Sequence, residues 1–206
     1  VVAPVNDAGE ILMEKFKSLL SEKTKMVAVG HISNALGTIN QVRQITQQAH
    51  EVGAAVLLDG AQAIIHDQVD VLELDCDFYA FSGHKALGPT GVGVLYGKEA
   101  LLESMPPWQG GGDMIKTVSF EKTVYNDLPY KFEAGTPNIV GGIGLGTALE
   151  YFSRLDLKKV MAHESELLHR ATERAMSISN LTILGMAANK ASVLSFNIKG
   201  VHPHDL

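Results

Sequence analysis

A lysine and an aspartate that each follow a short apolar segment are the residues of this chain best suited to chemistry. Asp59 follows the apolar run 54–58, and Lys85 follows the run 77–81 within the sequence Ser82-Gly83-His84-Lys85. A lysine amine can condense with an aldehyde, and a carboxylate can keep a ring nitrogen protonated. The hydroxyl and the imidazole beside the lysine can meet a phosphate. Together these groups indicate a site for pyridoxal 5'-phosphate (PLP).

The segments around these residues alternate between strand-like and helix-like patterns. Apolar runs predict strands over residues 1–5, 25–30, 54–58, 77–81 and 91–96, and helical spacing predicts helices over 11–20, 41–52 and 69–74. This order predicts an α/β fold with a mostly parallel sheet flanked by helices. Ligands of such sheets bind beyond the carboxyl ends of the strands. Because Asn34, Asp59 and the segment 82–85 follow such ends, we expect them at one edge of the sheet.

The pattern changes after Gly97. Proline- and glycine-rich segments over 106–113 and 126–138 predict loops around the site, and helices are expected over 139–154 and 157–179. Strands over 182–184 and 193–198 predict the start of a smaller α+β C-terminal domain. We therefore divide the chain into a large domain, residues 1–155, and a linking helix with the start of a small domain, residues 156–206.

Composition excludes several function classes. The 206 residues are 46% apolar and 19% charged, as in ordinary globular proteins, and the net charge of −6 argues against nucleic-acid binding. No apolar run approaches the roughly 20 residues of a membrane span, and residues 1–5 show no secretory signal. The single cysteine, Cys76, fits a reducing, cytoplasmic compartment. His202 and His204 alternate without a third ligand, so no metal site is predicted.

Five stretches of the sequence resemble a known family. They are His31–Thr38, Leu57–Ala63, Asp70–Gly97, Pro106–Ile115 and Lys131–Asn138, with sequences such as HISNALGT, LLDGAQA and SGHKALGPTG. They resemble the class V aminotransferase family of fold-type I PLP enzymes, and within it the cysteine desulfurases of the sulfur-mobilisation type, also described as selenocysteine lyases. The resemblance runs over essentially the whole chain. It implies a PLP-dependent transferase-like large domain whose N-terminal part is missing, and a truncated small domain.

Three matched residues would face the cofactor ring. The resemblance implies that Lys85 carries the cofactor as a Schiff base, where the alternative is a solvated surface charge. Asp59 would face the ring nitrogen, and Gln62 would donate its amide to the phenolic oxygen. Asp59 could also cap the following helix, and Gln62 could be an ordinary surface residue.

The other matched residues would hold the phosphate or the substrate. Ser82 and His84, on a turn opened by Gly83, would bind the phosphate, although His84 could instead be a core histidine bonded to backbone. The resemblance implies that Thr136 is a further phosphate ligand, donated by the other subunit of a homodimer. Asn34 would bind the substrate carboxylate or the cofactor oxygen, unless it serves only in a turn.

The resemblance also implies the reaction. The parent enzyme would remove sulfur from L-cysteine, or selenium from L-selenocysteine, leaving L-alanine and an enzyme persulfide that passes to a sulfur-acceptor protein for iron–sulfur cluster assembly. In the family the persulfide-forming cysteine and the carboxylate-binding arginine come after the last residue of this chain, and the ring-stacking histidine comes before its first. We therefore expect an internal fragment that lacks the nucleophilic cysteine. Cys76, at the far end of its strand from Lys85, is expected to be buried packing.

Two alternatives remain open on the sequence. Another class V enzyme, such as a kynureninase-like hydrolase or an epimerase, would share the aspartate and the lysine without a sulfur nucleophile. The isolated chain could also be a catalytically inert folding or interaction module.

Overall fold

A four-stranded sheet forms the centre of the computed structural model, which describes residues 1–205. Its strands are β1 (Met26–Gly30), β2 (Ala55–Asp59), β3 (Phe78–Ser82) and β4 (Gly93–Gly97), arranged in that order. The first three are parallel, and β4 runs antiparallel to β3. The predicted mostly parallel α/β sheet is therefore confirmed.

Helices connect and flank these strands. α2 (Val42–His50) buries Val42, Ile45 and Ala49, whose spacing places them on one helical face, and Gly53 after its end has the predicted positive φ of 74°. Two short helices, α3 (Ala63–His66) and α5 (Glu99–Ser104), were not predicted, because four and six residues are too few to show a helical period. The α-helices of the described residues are α1 (Met13–Leu19), α2 (Val42–His50), α3 (Ala63–His66), α4 (Val71–Leu74), α5 (Glu99–Ser104), α6 (Ile139–Ser153) and α7 (Leu157–Met176).

The core lies between β2, β3 and α2. Val56 and Leu58 of β2 are fully buried, as expected for a central strand of a parallel sheet that is covered by other elements. Cys76 and Tyr79 join the same cluster from the β3 side, with exposures of 0% and 2%. Burial raises the pKa of the Cys76 thiol. The expectation that Cys76 serves in packing is therefore confirmed.

Two antiparallel pairs lie outside the main sheet. β5 (Ile115–Val118) and β6 (Thr123–Tyr125) form a hairpin that was not predicted, whereas β7 (Leu181–Leu184) and β8 (Ser195–Ile198) match two predicted strands. The predicted strand over residues 1–5 is wrong. Val5 makes only an isolated bridge, since Pro4 has no N–H for a ladder.

The C-terminal strands do not stand apart from the rest. The Ala191 N–H donates to the Gly37 carbonyl at 2.8 Å, and the Ile39 N–H donates to the Asn189 carbonyl at 3.0 Å. These bonds attach the segment before β8 to the loop that follows β1. The division at residue 155 stays a prediction, with direct contacts across it.

A charged cluster joins four elements at the amino-terminal edge of the three parallel strands. Asp77, just before β3, accepts hydrogen bonds from the Val56 N–H at 2.7 Å and from His50 Nε2 at 2.8 Å, and Lys98 Nζ lies 3.1 Å away. Burial acts to raise the pKa of Asp77, but the bonds from His50, Val56 and Lys98 outweigh it and lower the pKa overall. The cluster therefore stabilises the junction of α2, β2, β3 and β4 with a charged carboxylate.

Replacing Asp77 with asparagine is expected to lower the free energy of unfolding by about 2 kcal/mol at pH 7. The folded-state pKa lies below the ordinary 3.8, so the carboxylate stabilises the fold above that pH and ceases to do so as the pH falls through the lower folded-state value. Urea unfolding should therefore show the difference between wild type and variant shrinking below about pH 4. The control Asp75→Asn removes a carboxylate that is 66% exposed and should cost distinctly less. Equal losses from both variants would contradict the assignment.

Candidate functional site

The carboxyl ends of β1, β2 and β3 meet at one edge of the sheet, as predicted. Asp59, the last residue of β2, is in register with Gly30 of β1 and with Ala80 of β3. Adjacent strands are about 4.8 Å apart. Ser82 ends β3 two residues beyond Ala80, and Lys85 closes the 3-10 turn that follows. The carboxylate and the amine thus leave neighbouring strands at the same edge; their placement on opposite sides of one ring stays a prediction.

Lys85 sits in a turn that leaves its amine unpaired. The Ala86 and Gly88 N–H groups both donate to the Gly83 carbonyl at 2.9 Å, which closes the turn. A Cβ at position 83 would lie 2.8 Å from the Val92 carbonyl oxygen, so glycine is required for this close approach. Within residues 1–205, Lys85 Nζ makes no ion pair and no hydrogen bond. The Lys85 amine is therefore available to a ligand at this edge of the sheet.

Ser82 and His84 form a pair of donors beside the lysine. Ser82 Oγ and His84 Nδ1 are 2.8 Å apart, and the imidazole is exposed. A histidine at the surface is not the core histidine that the sequence left open as an alternative. The hydroxyl and the ring can turn together toward an anion at the start of the 3-10 turn.

Asp59 and Gln62 bracket the turn between β2 and α3. The exposed Asp59 carboxylate accepts the Ala61 N–H at 2.9 Å through Oδ1, which leaves Oδ2 available to a ligand. α3 begins at Ala63, so the cap position belongs to Gln62 rather than to Asp59, and the Gln62 side chain makes no capping bond. The capping alternative for Asp59 is therefore wrong.

Asn34 lies exposed at the tip of the loop after β1. The loop is closed by main-chain bonds from Ser33 to Thr38 at 2.9 Å and from Gly37 to Ser33 at 2.8 Å, and Ser33 Oγ accepts the Leu36 N–H. The Asn34 carboxamide has no hydrogen-bond partner among the described residues. Because Ser33 and Gly37 hold the turn, the side chain of Asn34 is available to bind a ligand.

Thr136 is exposed in the loop before α6. Asn138 caps α6 by accepting the Gly141 N–H at 2.9 Å and donates to the Gly91 carbonyl at 3.1 Å, which ties this loop to the turn that follows Lys85. A cavity of about 460 Å³ lies beside it, lined in part by Tyr130 and Glu133. A role for Thr136 in the site of a partner subunit stays a prediction.

The donors at this edge fit PLP. An unpaired amine, a carboxylate with a free oxygen, a hydroxyl–imidazole pair and two unpaired carboxamides match the aldehyde, ring nitrogen, phosphate and phenolic oxygen of that cofactor.

Two buried residues at this edge, His31 and Tyr79, were not predicted. His31 opens the stretch HISNALGT, and Tyr79 is the second residue of β3. Their side chains are 3.1 Å apart beneath the turn that follows Asp59. No local spacing could predict this pair, because its members are 48 positions apart in the sequence. No group of three or more potential metal ligands occurs among residues 1–205.

The chain matches a known protein family and has relatives at about 50% sequence identity. The family model "Aminotransferase class-V" matches residues 1–206. The cysteine desulfurase of Shigella sonnei is 50% identical over 206 residues, covering 100% of this chain and 50% of that protein. That of Synechococcus elongatus is 51% identical over 202 residues, covering 98% of this chain and 32% of that protein. The chain therefore spans about half the length, or less, of these relatives.

Solved structures of cysteine desulfurases also resemble the structure of this chain. The cysteine desulfurase CsdA of Escherichia coli superposes with a TM-score of 0.94 at 38% identity, covering 100% of this chain and 51% of that one. The cysteine desulfurase of Thermococcus onnurineus NA1 has the same TM-score and identity, with 52% of its chain covered.

No helix among the described residues has the length and apolar character needed to cross a bilayer.

Proposed function

This chain belongs to the aminotransferase class-V family, and from that premise we propose that it forms part of a PLP-dependent cysteine desulfurase. One observation carries the proposal: an unpaired Lys85 follows β3 at the edge where Asp59 ends β2, in a chain about half identical to cysteine desulfurases. The same relatives favour a desulfurase over a kynureninase-like hydrolase or an epimerase.

Each residue of the edge has a defined task in this proposal. When bound, PLP supplies an electrophilic aldehyde and a ring that stores negative charge. Lys85 Nζ anchors the cofactor and, once released, moves the α-proton of the substrate. Asp59 Oδ2 holds the proton at the ring nitrogen, and Gln62 orients the ring through the phenolic oxygen. Asn34 Nδ2 orients the substrate carboxylate.

The phosphate tasks fall to the turn beside the lysine. Ser82 Oγ and His84 Nδ1 already lie within hydrogen-bond distance of each other, and a phosphate would receive both as donors. Thr136 would be a further ligand of the cofactor phosphate, donated by the partner subunit of a homodimer. The exposed apolar residues at the hairpin tip and on α6, Phe120, Ile139, Val140 and Ile143, support an interface there.

The sulfur nucleophile is assigned to a part of the protein outside this chain. Cys76 is fully buried and burial raises its thiol pKa, so it is unsuited to attack on the substrate sulfur. The products would be L-alanine and an enzyme persulfide, with sulfur passed to an acceptor protein for iron–sulfur cluster assembly. L-Selenocysteine would react by the same route. A single free cysteine supports a reducing, cytoplasmic location.

The test uses the full-length protein loaded with PLP. Incubation with L-cysteine and a thiol reductant should release alanine and sulfide in equal amounts. Parallel assays with L-kynurenine should give no anthranilate, and incubation of L-cysteine without reductant should leave sulfur on the enzyme. Anthranilate formation from L-kynurenine, with no alanine released from L-cysteine, would assign the protein to another branch of the family. The isolated chain titrated with PLP tests the inert alternative separately.

A further inference from the structure

The main chain of His31 is hydrogen-bonded on both sides, and one of its partners is Asp59 of the candidate site. It is the first residue after β1 and is 4% exposed. Its N–H donates to the Asp59 carbonyl at 2.8 Å, and its carbonyl accepts the Asn40 N–H at 2.9 Å. The position of the Asp59 main chain is thus coupled directly to that of His31.

The imidazole of His31 has a polar group on each of two sides, and the nearer one, the Tyr79 hydroxyl, is within hydrogen-bond distance. Nδ1 lies 3.1 Å from the Tyr79 hydroxyl, and Nε2 lies 3.7 Å from Asp67 Oδ2, just beyond α3. Burial lowers the pKa of His31 and outweighs the opposing effect of Asp67, so the ring is neutral at pH 7. A neutral ring with its proton on Nε2 faces Asp67 and accepts the Tyr79 O–H at Nδ1.

The Tyr79 ring forms the floor of the turn that carries Asp59 and Gln62. A Cβ at Gly60 would lie only 1.9 Å from Tyr79 Cε1, so the backbone of the turn rests directly on the ring. The Gly60 N–H also donates to the Ala80 carbonyl at 2.8 Å. With Tyr79 only 2% exposed, its hydroxyl depends on His31 as the partner in this buried space.

We propose that His31 is a positioning residue for the cofactor ring. Its hydrogen bond to Tyr79 fixes the ring on which Gly60 rests, and its main-chain N–H bonds the Asp59 carbonyl, so one residue supports the segment from Asp59 to Gln62. This inference rests on the proposed function. It differs from a core-packing role because it ties a buried contact to the affinity for PLP and to the state of its ring nitrogen.

Two histidine variants separate the two contacts. The asparagine of His31→Asn can place its amide oxygen where Nδ1 lies now, but it is too short to extend toward Asp67. The glutamine of His31→Gln extends toward Asp67 as Nε2 does, but it has no acceptor at the position of Nδ1. Tyr79→Phe removes the hydroxyl without changing the ring beneath Gly60. The full-length apoenzyme of each variant is titrated with PLP, and the absorbance of the bound cofactor is followed against pH.

We expect PLP to bind about tenfold more weakly to His31→Gln and Tyr79→Phe, with a shifted pH dependence of the cofactor absorbance. His31→Asn should recover most of the affinity. The double variant His31→Gln/Tyr79→Phe should be no weaker than Tyr79→Phe alone, because both remove one contact. The control His50→Asn, at the opposite edge of the sheet, loses the Nε2 bond to Asp77, so it should lower the urea midpoint and leave PLP affinity unchanged.

The outcomes are distinct. Wild-type affinity and pH dependence in both Tyr79→Phe and His31→Gln overturn the positioning role, whatever happens to stability. Should His31→Gln fail to fold, Tyr79→Phe alone decides the matter, since it keeps the packing. A wild-type protein that binds no PLP overturns the proposed function itself, a result that does not depend on any variant.

Discussion

Replacing Lys85 with alanine should abolish desulfuration of L-cysteine by the full-length enzyme, lowering kcat/KM on the order of 10³-fold or more. The amine is proposed to do two things, anchoring the cofactor and moving the substrate α-proton, and both are lost together. Lys98 offers no substitute, because it is bonded to Asp75 and Asp77 at the other edge of the sheet. Alanine formation under steady-state conditions measures the loss.

Covalent labelling checks the first task without relying on turnover. Borohydride treatment of the PLP-loaded wild type should attach the cofactor to the peptide that contains Lys85, and mass spectrometry should find no such peptide in Lys85→Ala. Lys17→Ala, which removes an exposed lysine from α1, serves as the control and should keep both labelling and activity. Cofactor found on another lysine of the wild type would remove Lys85 from its assigned position.

Much of the sheet could be predicted because its strands are short apolar runs with polar residues at their ends. Asp59 and Lys85 were placed at one edge from this pattern alone, and the parallel register of β1, β2 and β3 confirms that edge. The antiparallel direction of β4 follows from the brief turn after Lys85, which is too short for a crossover to a parallel strand.

Strands whose two faces do not differ in burial could not be predicted from the sequence. Every residue of β6 is exposed, as are three of the four in β5, so the hairpin shows no apolar alternation. The opposite error occurred at residues 1–5, where an apolar run suggested a strand. Val1 and Val2 are 110% and 88% exposed, and no neighbouring strand among the described residues pairs with them.

Contacts between distant positions lie beyond any reading of local pattern. The Asn34 loop is held by residues near 190, and the floor of the Asp59 turn is a tyrosine from β3 bonded to a histidine after β1. The sequence pattern predicted which polar residues lie at the carboxyl edge of the sheet. It did not predict the buried residues, His31 and Tyr79, that support them. Packing of this kind depends on how the strands align, which the fold alone determines.

Replacing Asp59 with asparagine is expected to lower kcat for alanine formation by about 100-fold while the fold remains intact. The asparagine carbonyl can still accept the Ala61 N–H that Asp59 Oδ1 accepts now, so the turn keeps its shape. An amide cannot hold a proton at the ring nitrogen as a carboxylate can, so the ring stores less charge when the α-proton leaves. Because the side chain is exposed, the urea midpoint of the apoenzyme should change little.

The state of the ring nitrogen distinguishes this explanation from a general loss of activity. With ¹⁵N-labelled PLP, NMR should report a protonated ring nitrogen in the wild type and an unprotonated one in Asp59→Asn at pH 7. Asp70→Asn is the matched control, since Asp70 caps α4 and asparagine caps helices equally well; it should leave kcat, stability and the ¹⁵N shift unchanged. If Asp59→Asn kept a protonated ring and near-wild-type kcat, the carboxylate at the end of β2 would not face the cofactor, and the strand-edge site would have to be oriented differently around Lys85.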